Sequence, residues 1–194
     1  MLHQHTFFTS YNRYPDIFNQ CSSMMNNINN KNVLSFGCSI GDEIQTLKDL
    51  YFKESIIDGV DINSDCVSKC TERFSGSNKI FDYNEFVNST KKYDVIFAMS
   101  VFCKWEDTEY INDCSSVYSF KMFDDGVKLL YNKLNAGGVL CVYNSNFCMN
   151  QSSIYNLFVP ITTNKIKDSG FVHKFNNDNK KIENNYCDVI FKKK

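Results

Sequence analysis

The feature that most constrains the fold is a short apolar run followed by a small-residue turn between residues 32 and 44. The run, Val33 to Phe36, ends at Gly37, and a helical pattern starts just after Gly41. This order predicts a strand, a tight turn and a helix N-terminus, an arrangement in which backbone N–H groups face a ligand. Glycines suit such a turn because they adopt backbone angles closed to other residues and leave room for a ligand. The sequence therefore predicts a ligand site at this turn.

The side chains around the turn disfavour a ligand that carries phosphate. A dinucleotide-binding fingerprint would need glycines at positions 37, 39 and 42. The chain has Gly37, but Ser39 and Asp42 stand at the other two positions. A phosphate-binding loop would need a lysine after Gly41, but Asp42 and Glu43 follow it. Two carboxylates repel a pyrophosphate and favour a positively charged ligand. These residues predict a zwitterionic cofactor that carries a sulfonium.

The stretch Val33–Glu43 resembles motif I of the class I S-adenosylmethionine-dependent methyltransferases. It departs from the usual motif at Ser35, where an acid is common, and at Ser39, where the middle glycine is common. The same departures are found in the chemotaxis-receptor methyltransferases and in uncharacterised bacterial-type methyltransferases. The resemblance implies that S-adenosylmethionine is the cofactor and S-adenosylhomocysteine the product. The positions that it assigns to cofactor binding at this turn are Gly37, Cys38, Ser39 and Gly41.

The resemblance also implies a partner for the ammonium group of the cofactor. In the chemotaxis-type enzymes, an acid after the last glycine contacts this group, so the role falls here to Asp42 or Glu43. The loss of an acid at Ser35 leaves the choice between them open.

A second candidate lies at the end of the next predicted strand, Ile56–Ile62. Asp61 comes twenty positions after Gly41, where Rossmann-like folds hold a ribose through both hydroxyls. We therefore assign Asp61, with the neighbouring Ile62, to cofactor binding. The alternative is an N-cap for the following helix, although Asn63 or Ser64 also suits that role.

Two further strand ends complete the predicted cofactor site. By resemblance, Asp82 contacts the adenine amino group and Tyr83 lies beside the ring, although ordinary turn chemistry explains Asp82 nearly as well. The strongest apolar run, Lys92–Val101, resembles the start of motif IV and brings Met99 and Ser100 to the cofactor. It lacks the Asn/Asp-Pro-Pro-Tyr signature of many amino-group methyltransferases that act on DNA, which disfavours that class.

The N-terminal residues 1–31 are expected to form a helical lid segment, with a short helix around Pro15. Arg13 in this segment is a candidate partner for the cofactor carboxylate, since arginine binds carboxylates through two hydrogen bonds. The alternative is a solvated arginine on a packed aromatic helix.

The acceptor side is expected to involve the segment from Phe102 to Ser119 and the end of the fifth strand. Long loops after a strand are often functional, so Trp105 and Glu106 are candidates for the acceptor pocket. A solvated acidic loop with one packed aromatic is the alternative. Asn144 shares a sheet edge with Ser100 and is a candidate for orienting an acceptor. Glu106, Asp107, His173 and His5 are weak candidates for a general base.

Composition limits the other classes of function. A chain of 194 residues with 43% hydrophobic residues suits one domain, and a net charge of −1 without a basic block disfavours nucleic acid as a substrate. The chain has no run long enough for a membrane span and no signal peptide, which predicts a cytoplasmic protein. Its nine scattered cysteines indicate reduced thiols and no metal site.

The sequence therefore predicts an α/β, Rossmann-like domain over residues 32–194. Its seven-stranded, mostly parallel sheet ends in an antiparallel terminal hairpin and carries helices on both faces. The closing part is predicted as a helix over roughly 152–168, a turn at Ser169–Gly170 and two strands, Phe171–Phe175 and Tyr186–Phe191. The expected function is methyl transfer from S-adenosylmethionine to an oxygen or nitrogen of a small molecule, such as a sugar. The alternatives are a protein carboxyl methyltransferase related to the chemotaxis-receptor enzymes and a non-catalytic cofactor-binding module.

Overall fold

The computed structural model describes residues 7–25, 30–74, 76, 78–161, 168, 171–183 and 187–194. Some sequence predictions concern residues outside these ranges: the candidate base His5, the turn at Ser169–Gly170 and part of a helix predicted over about 152–168.

The centre of the molecule is a seven-stranded sheet, which confirms the predicted fold class. Its spatial order is β3-β2-β1-β4-β5-β9-β6; the first five strands run parallel, and β9 lies antiparallel between β5 and β6. A separate ribbon pairs β7 with β8. The strands are β1 (Asn32–Phe36), β2 (Ile56–Asp61), β3 (Ile80–Asp82), β4 (Tyr93–Met99), β5 (Leu134–Tyr143), β6 (Phe158–Pro160), β7 (Lys174–Phe175), β8 (Lys181–Ile182) and β9 (Ile190–Lys193).

Helices cover both faces of the sheet. On one face, α1, α2 and α3 pack over alternate strand residues such as Val33 and Phe97; on the other, α4 and α6 pack over residues such as Leu34 and Ile96. The buried strands read as continuous apolar runs because both faces are covered. The helices are α1 (Pro15–Met24), α2 (Asp42–Thr46), α3 (Ser64–Arg73), α4 (Tyr83–Asn88), α5 (Trp105–Thr108) and α6 (Phe120–Lys133). One π-helical turn (Leu47–Tyr51) extends α2, and two 3₁₀ turns (Met149–Gln151 and Tyr155–Leu157) precede β6.

The strand order fixes where a ligand can bind. The chain leaves β1 toward β2 on one side and later returns through β4 on the other. In open α/β sheets, the crevice at the carboxyl ends of two such strands is the usual ligand site. The turn after β1 and the end of β4 border this crevice, as the sequence predicts.

The C-terminal part of the sheet differs from the prediction. The helix predicted over about 152–168 is absent from its described part, where 3₁₀ turns lead directly into β6. The strand predicted at Phe171–Phe175 does not join the main sheet, because its last two residues pair with β8 instead. The sixth strand is Phe158–Pro160, which reaches the sheet edge beside β9.

The cysteines also differ in one respect from the prediction of reduced thiols. Cys148 and Cys187 form a disulfide, whereas the seven other cysteines are free and buried. Within the described ranges, no group of three histidine, cysteine or acidic side chains is arranged to hold a metal ion. No helix in the same ranges has the length and apolar character needed to cross a bilayer.

Candidate functional site

The turn after β1 is held rigidly against β2. The backbone N–H groups of Gly37 and Cys38 both donate to the carbonyl of Val60, at 2.8 and 3.0 Å. Gly37 and Gly41 have left-handed backbone angles, with φ of 82° and 93°, and so does Ser39, with φ of 49°. Such conformations favour glycine and are uncommon for serine, so the local geometry is tightly specified by its surroundings.

The two glycines serve packing within the chain. A Cβ atom on Gly37 would lie 2.5 Å from a methyl group of Val101, and one on Gly41 would lie 2.3 Å from the ring of Phe74. The sequence predicts that glycines in this turn leave room for a ligand. In the structure, Val101 fills the space beside Gly37 and Phe74 fills the space beside Gly41.

Asp61 at the end of β2 supports the turn directly. Its carboxylate, which is 7% exposed, accepts hydrogen bonds from the backbone N–H of Ser39 at 2.8 Å and of Asn63 at 2.9 Å. The N-cap of α3 is Asn63, whose side chain accepts from two N–H groups of the first turn. Asp61 is therefore not the helix cap, and its carboxylate lies against the turn.

The two acids that follow Gly41 have different surroundings. Asp42 forms an ion pair with Arg73 at 2.7 Å on the outside of the turn. Glu43 lies on the inner side, where the hydroxyl of Ser35 donates to its Oε1 at 2.8 Å. Burial raises the pKa of Glu43 to about 7, although the hydrogen bond from Ser35 and the charge of Arg13 both favour the ionised form. Glu43 is thus an inward-facing carboxylate for which the cost of burial outweighs these two stabilising effects.

Beside Glu43 is a small cavity of about 30 Å³, which we call the cofactor cavity after the ligand that the sequence predicts for it. The turn after β1 and the end of β4 form one side, and the segment from Phe8 to Tyr14 forms the other. Its lining residues are Phe8, Thr9, Ser10, Arg13, Tyr14, Phe18, Gly37, Cys38, Ser39, Glu43 and Met99.

Residues 7–14, which we call the covering segment, lie over this cavity. The hydroxyl of Ser39 donates to the carbonyl of Phe7 at 2.7 Å. The guanidinium of Arg13 packs against the rings of Phe8 and Tyr14, 5.0 and 5.1 Å from their centroids. The covering segment is thus fastened to the turn at one end and leads into α1 at the other.

A second, larger cavity of about 210 Å³ adjoins the first, and we call it the acceptor cavity after the methyl acceptor that the sequence predicts. Phe8 and Arg13 line both cavities, so the two are neighbours. Trp105 and Phe171 pack against each other in its wall, with ring centroids 5.4 Å apart. Its lining residues are Phe8, Arg13, Ser100, Cys103, Trp105, Phe171 and Val172.

Three polar side chains meet where the two cavities adjoin. The hydroxyl of Ser100 lies 2.8 Å from that of Tyr14 and accepts a hydrogen bond from the amide of Asn144 at 2.9 Å. Ser100 and Asn144 follow β4 and β5 directly and both have left-handed angles, with φ of 56° and 50°. Burial raises the pKa of Tyr14 to about 12, so its phenol is neutral near pH 7.

Eight predicted site residues do not line either of these cavities: Gly41, Asp42, Asp61, Ile62, Asp82, Tyr83, Glu106 and Asn144. Asp82 is exposed and caps α4 by accepting from the N–H of Glu85. Ile62 is 42% exposed, and Tyr83, the first residue of α4, packs partly buried against the core. Glu106 is exposed on α5. The adenine, ribose and base assignments of these residues remain predictions.

The general-base candidates are no closer to the cavities. Asp107 and His173 line neither of the two. Cys103 does line the acceptor cavity, but burial raises the pKa of its thiol to about 12. It is therefore a neutral thiol near pH 7.

Several lining residues are not among the site residues predicted from the sequence. The sequence pattern predicts Tyr14 only as part of the short helix around Pro15, and Phe171 and Val172 only as part of a strand. Phe8 and Cys103 carried no signal, because nothing in the sequence indicates that these distant segments meet. A tyrosine before a helix, at the junction of two cavities, is recognisable only from the fold.

The chain is similar to known proteins in fold alone. No protein-family model matches the chain, and no curated protein matches it. A solved methyltransferase region, StiE O-MT residues 942–1257, is 18% identical with a TM-score of 0.42, over 65% of this chain and 40% of that one. CalS10 from Micromonospora echinaspora, an amino pentose methyltransferase solved with S-adenosylmethionine bound, is 12% identical with a TM-score of 0.48, over 70% and 50%.

A third solved structure, PKMT2 from Rickettsia typhi, is 18% identical with a TM-score of 0.49, over 72% of this chain and 26% of that one. The chain spans half or less of the length of each of these three structures. The substrates in their names belong to those proteins.

Proposed function

We propose that this chain is a methyltransferase that moves a methyl group from S-adenosylmethionine to an oxygen or nitrogen atom of a small molecule. The observation that carries the proposal is Glu43: an inward-facing carboxylate whose pKa is raised to about 7 borders a cavity at the switch point of the sheet. A cationic ligand group would relieve the cost of burying this charge.

The residues around the cofactor cavity suit a zwitterionic amino-acid group. Glu43 would hold its ammonium and Arg13 its carboxylate, since both side chains line the cavity. Asp61 would accept from the ribose hydroxyls, because each carboxylate oxygen that now accepts one backbone N–H keeps a further lone pair. Asp82 and Tyr83 would lie at the adenine end.

The cofactor would supply a methyl group already activated by its sulfonium. The chain then has to position the acceptor, because proximity and alignment account for most of what such a transfer needs. The acceptor cavity adjoins the cofactor cavity, and Ser100 with Asn144 lies at the junction. We assign these two side chains to positioning the acceptor. We also place Glu106, which is exposed on α5 in the segment after β4, on the acceptor side.

The covering segment is the proposed lid. It closes the cofactor cavity through Phe8, Arg13 and Tyr14, so a cofactor would have to displace it to enter. Closure over the bound cofactor would then exclude water from the methyl group. The lid is the part of the predicted N-terminal segment that precedes α1.

Calorimetric titration of the purified chain tests this proposal. We expect saturable heat with S-adenosylmethionine and with S-adenosylhomocysteine, and none with NAD or ATP. A non-catalytic partner-binding module that lacks the cofactor site would give no heat with either adenosyl compound. That result, or binding of NAD or ATP, would overturn the proposal.

A further inference from the structure

The walls of the acceptor cavity select for a particular kind of molecule. Phe8, Trp105 and Phe171 place three aromatic residues in the lining of one space of about 210 Å³. Aromatic rings favour offset-stacked and edge-on contacts with other flat rings beyond the gain from burial alone. The cavity is therefore suited to a planar ring system.

Polar side chains are few among the described residues that line this cavity. Besides Arg13, which the proposed function gives to the cofactor carboxylate, they offer the hydroxyl of Ser100, the indole N–H of Trp105 and the weakly polar thiol of Cys103. A sugar carries several hydroxyls, and each one buried without a partner costs free energy. A polyhydroxy acceptor would leave most of its hydroxyls unsatisfied in this cavity.

Ser100 determines which hydrogen bond the ligand makes. Asn144 donates to Ser100, and the phenol of Tyr14 lies 2.8 Å from the same oxygen. When Tyr14 also donates, the hydroxyl proton of Ser100 is the one left for a ligand. The ligand atom at this point is then one that accepts a hydrogen bond, such as a hydroxyl oxygen.

We infer that the methyl acceptor is a phenol, a flat aromatic molecule whose hydroxyl oxygen meets Ser100 while its ring lies among Phe8, Trp105 and Phe171. This inference rests on the proposed function. In the transfer, a lone pair of the phenol oxygen forms the new O–CH₃ bond as the C–S bond breaks and its electrons return to sulfur. The phenolic proton leaves to solvent through the cavity mouth, where Phe8 and Phe171 are exposed.

The single tryptophan of the chain provides a direct probe of this cavity. In nitrogen-15-labelled protein, Trp105 gives one indole N–H resonance. We expect 2-naphthol to shift this resonance saturably in the presence of S-adenosylhomocysteine. Its saturated analogue decahydro-2-naphthol, which has the same hydroxyl but no flat ring, should bind about threefold to tenfold more weakly, and methyl glucoside should give no shift.

Two variants test whether the aromatic wall at Phe171 causes the preference for a flat ring. Phe171→Leu keeps the indole probe and should weaken 2-naphthol binding about threefold to tenfold, with little effect on the saturated analogue. Tyr110→Leu changes an aromatic that is 87% exposed in the same segment as Trp105 but lines neither cavity, and should change nothing.

The inference is overturned if 2-naphthol gives no shift, if the saturated analogue or methyl glucoside binds equally well, or if Phe171→Leu leaves 2-naphthol affinity unchanged. Repeating the titration without S-adenosylhomocysteine, with calorimetry of that compound in parallel, separates the two claims. Cofactor binding without the aromatic preference refutes the phenol alone, whereas loss of cofactor binding refutes the proposed function.

Discussion

Two consecutive acids, Asp42 and Glu43, show how neighbouring residues acquire different roles. Successive residues on a helix point about 100° apart, so only one of them faces the crevice. Arg73 at the end of α3 pairs with Asp42 on the outer side, and Ser35 on β1 donates to Glu43 on the inner side. The sequence does not show which of the two acids faces the crevice, because Arg73 lies 31 positions after Asp42 and only the fold brings them together.

The first prediction concerns the pH dependence of cofactor binding. The ammonium of the cofactor needs an ionised carboxylate, and the pKa of Glu43 is raised to about 7 by burial. Affinity should therefore be full above pH 7 and fall by up to about tenfold for each pH unit below it, since binding then requires loss of one proton. Calorimetry between pH 5.5 and 8.5 measures this profile.

Matched substitutions identify the titrating group. Glu43→Gln should flatten the profile and weaken binding at pH 8 by about 1.5–3 kcal/mol, the usual range for a charged hydrogen bond. Asp42→Asn should keep both the profile and the affinity. A flat profile in the unmodified chain, or loss of pH dependence only in Asp42→Asn, would show that Glu43 does not bind the ammonium.

The second prediction concerns Asp61, whose carboxylate has a structural and a proposed binding role. Asp61→Ala should weaken cofactor binding by at least about 1.5 kcal/mol, because the charged acceptor for the ribose is lost. The same change should lower the free energy of unfolding by about 1–3 kcal/mol, because the N–H groups of Ser39 and Asn63 lose their partner. Calorimetry and urea unfolding measure the two effects separately.

The control for Asp61 is another acid close by. Asp65 is exposed in the first turn of α3, and its replacement by alanine should leave cofactor affinity unchanged. If folded Asp61→Ala bound the cofactor as tightly as the unmodified chain, Asp61 would stabilise the turn without binding the cofactor.

At the scale of elements, the N-terminal segment combines the proposed lid with part of the core. Helix α1 buries Ile17, Phe18 and Cys21 against the sheet, and the ring of Phe18 packs edge-on to Phe97 at 5.1 Å. This packing fixes the end from which the covering segment extends. Only residues 7–14 then have to move for a ligand to enter, while α1 stays in place.

The third prediction tests how the lid is held closed. Tyr14→Phe removes the hydroxyl that bonds Ser100 but keeps the ring, and such a hydrogen bond contributes about 0.5–1.5 kcal/mol. We expect the cofactor to dissociate about two- to tenfold faster, as measured by stopped-flow displacement. Tyr11→Phe removes a hydroxyl that bonds exposed Asp49 at 3.4 Å and should leave the rate unchanged. Equal rates in all three proteins would show that the Tyr14 hydroxyl does not hold the lid.

The elements that the sequence predicts well are those whose pattern is local. Apolar runs ending in a turn or an acid give β1, β2 and β4, and residues 42–51 follow helical spacing because one side packs on the sheet. The sixth strand could not be predicted in this way. Phe158–Pro160 is only three residues long, and it is a strand because it pairs with β9, more than thirty positions later.

At the scale of the whole molecule, the proposed function depends on two neighbouring cavities that no single stretch of sequence contains. Arg13 and Phe8 come from the N-terminus, Ser100 and Trp105 from the middle, and Phe171 from the C-terminal part. The sequence predicts the cofactor side more fully because its residues follow strand ends in a known order. The acceptor side depends on loops whose meeting is decided by tertiary packing.

A crystal structure of the chain with S-adenosylhomocysteine tests the central claim most directly. We predict density for the amino-acid group between Glu43 and Arg13, with the ribose at Asp61 and the sulfur facing the acceptor cavity beside Ser100. Density for this compound elsewhere on the chain, or a crevice still filled by an unmoved covering segment at saturating concentration, would contradict the account.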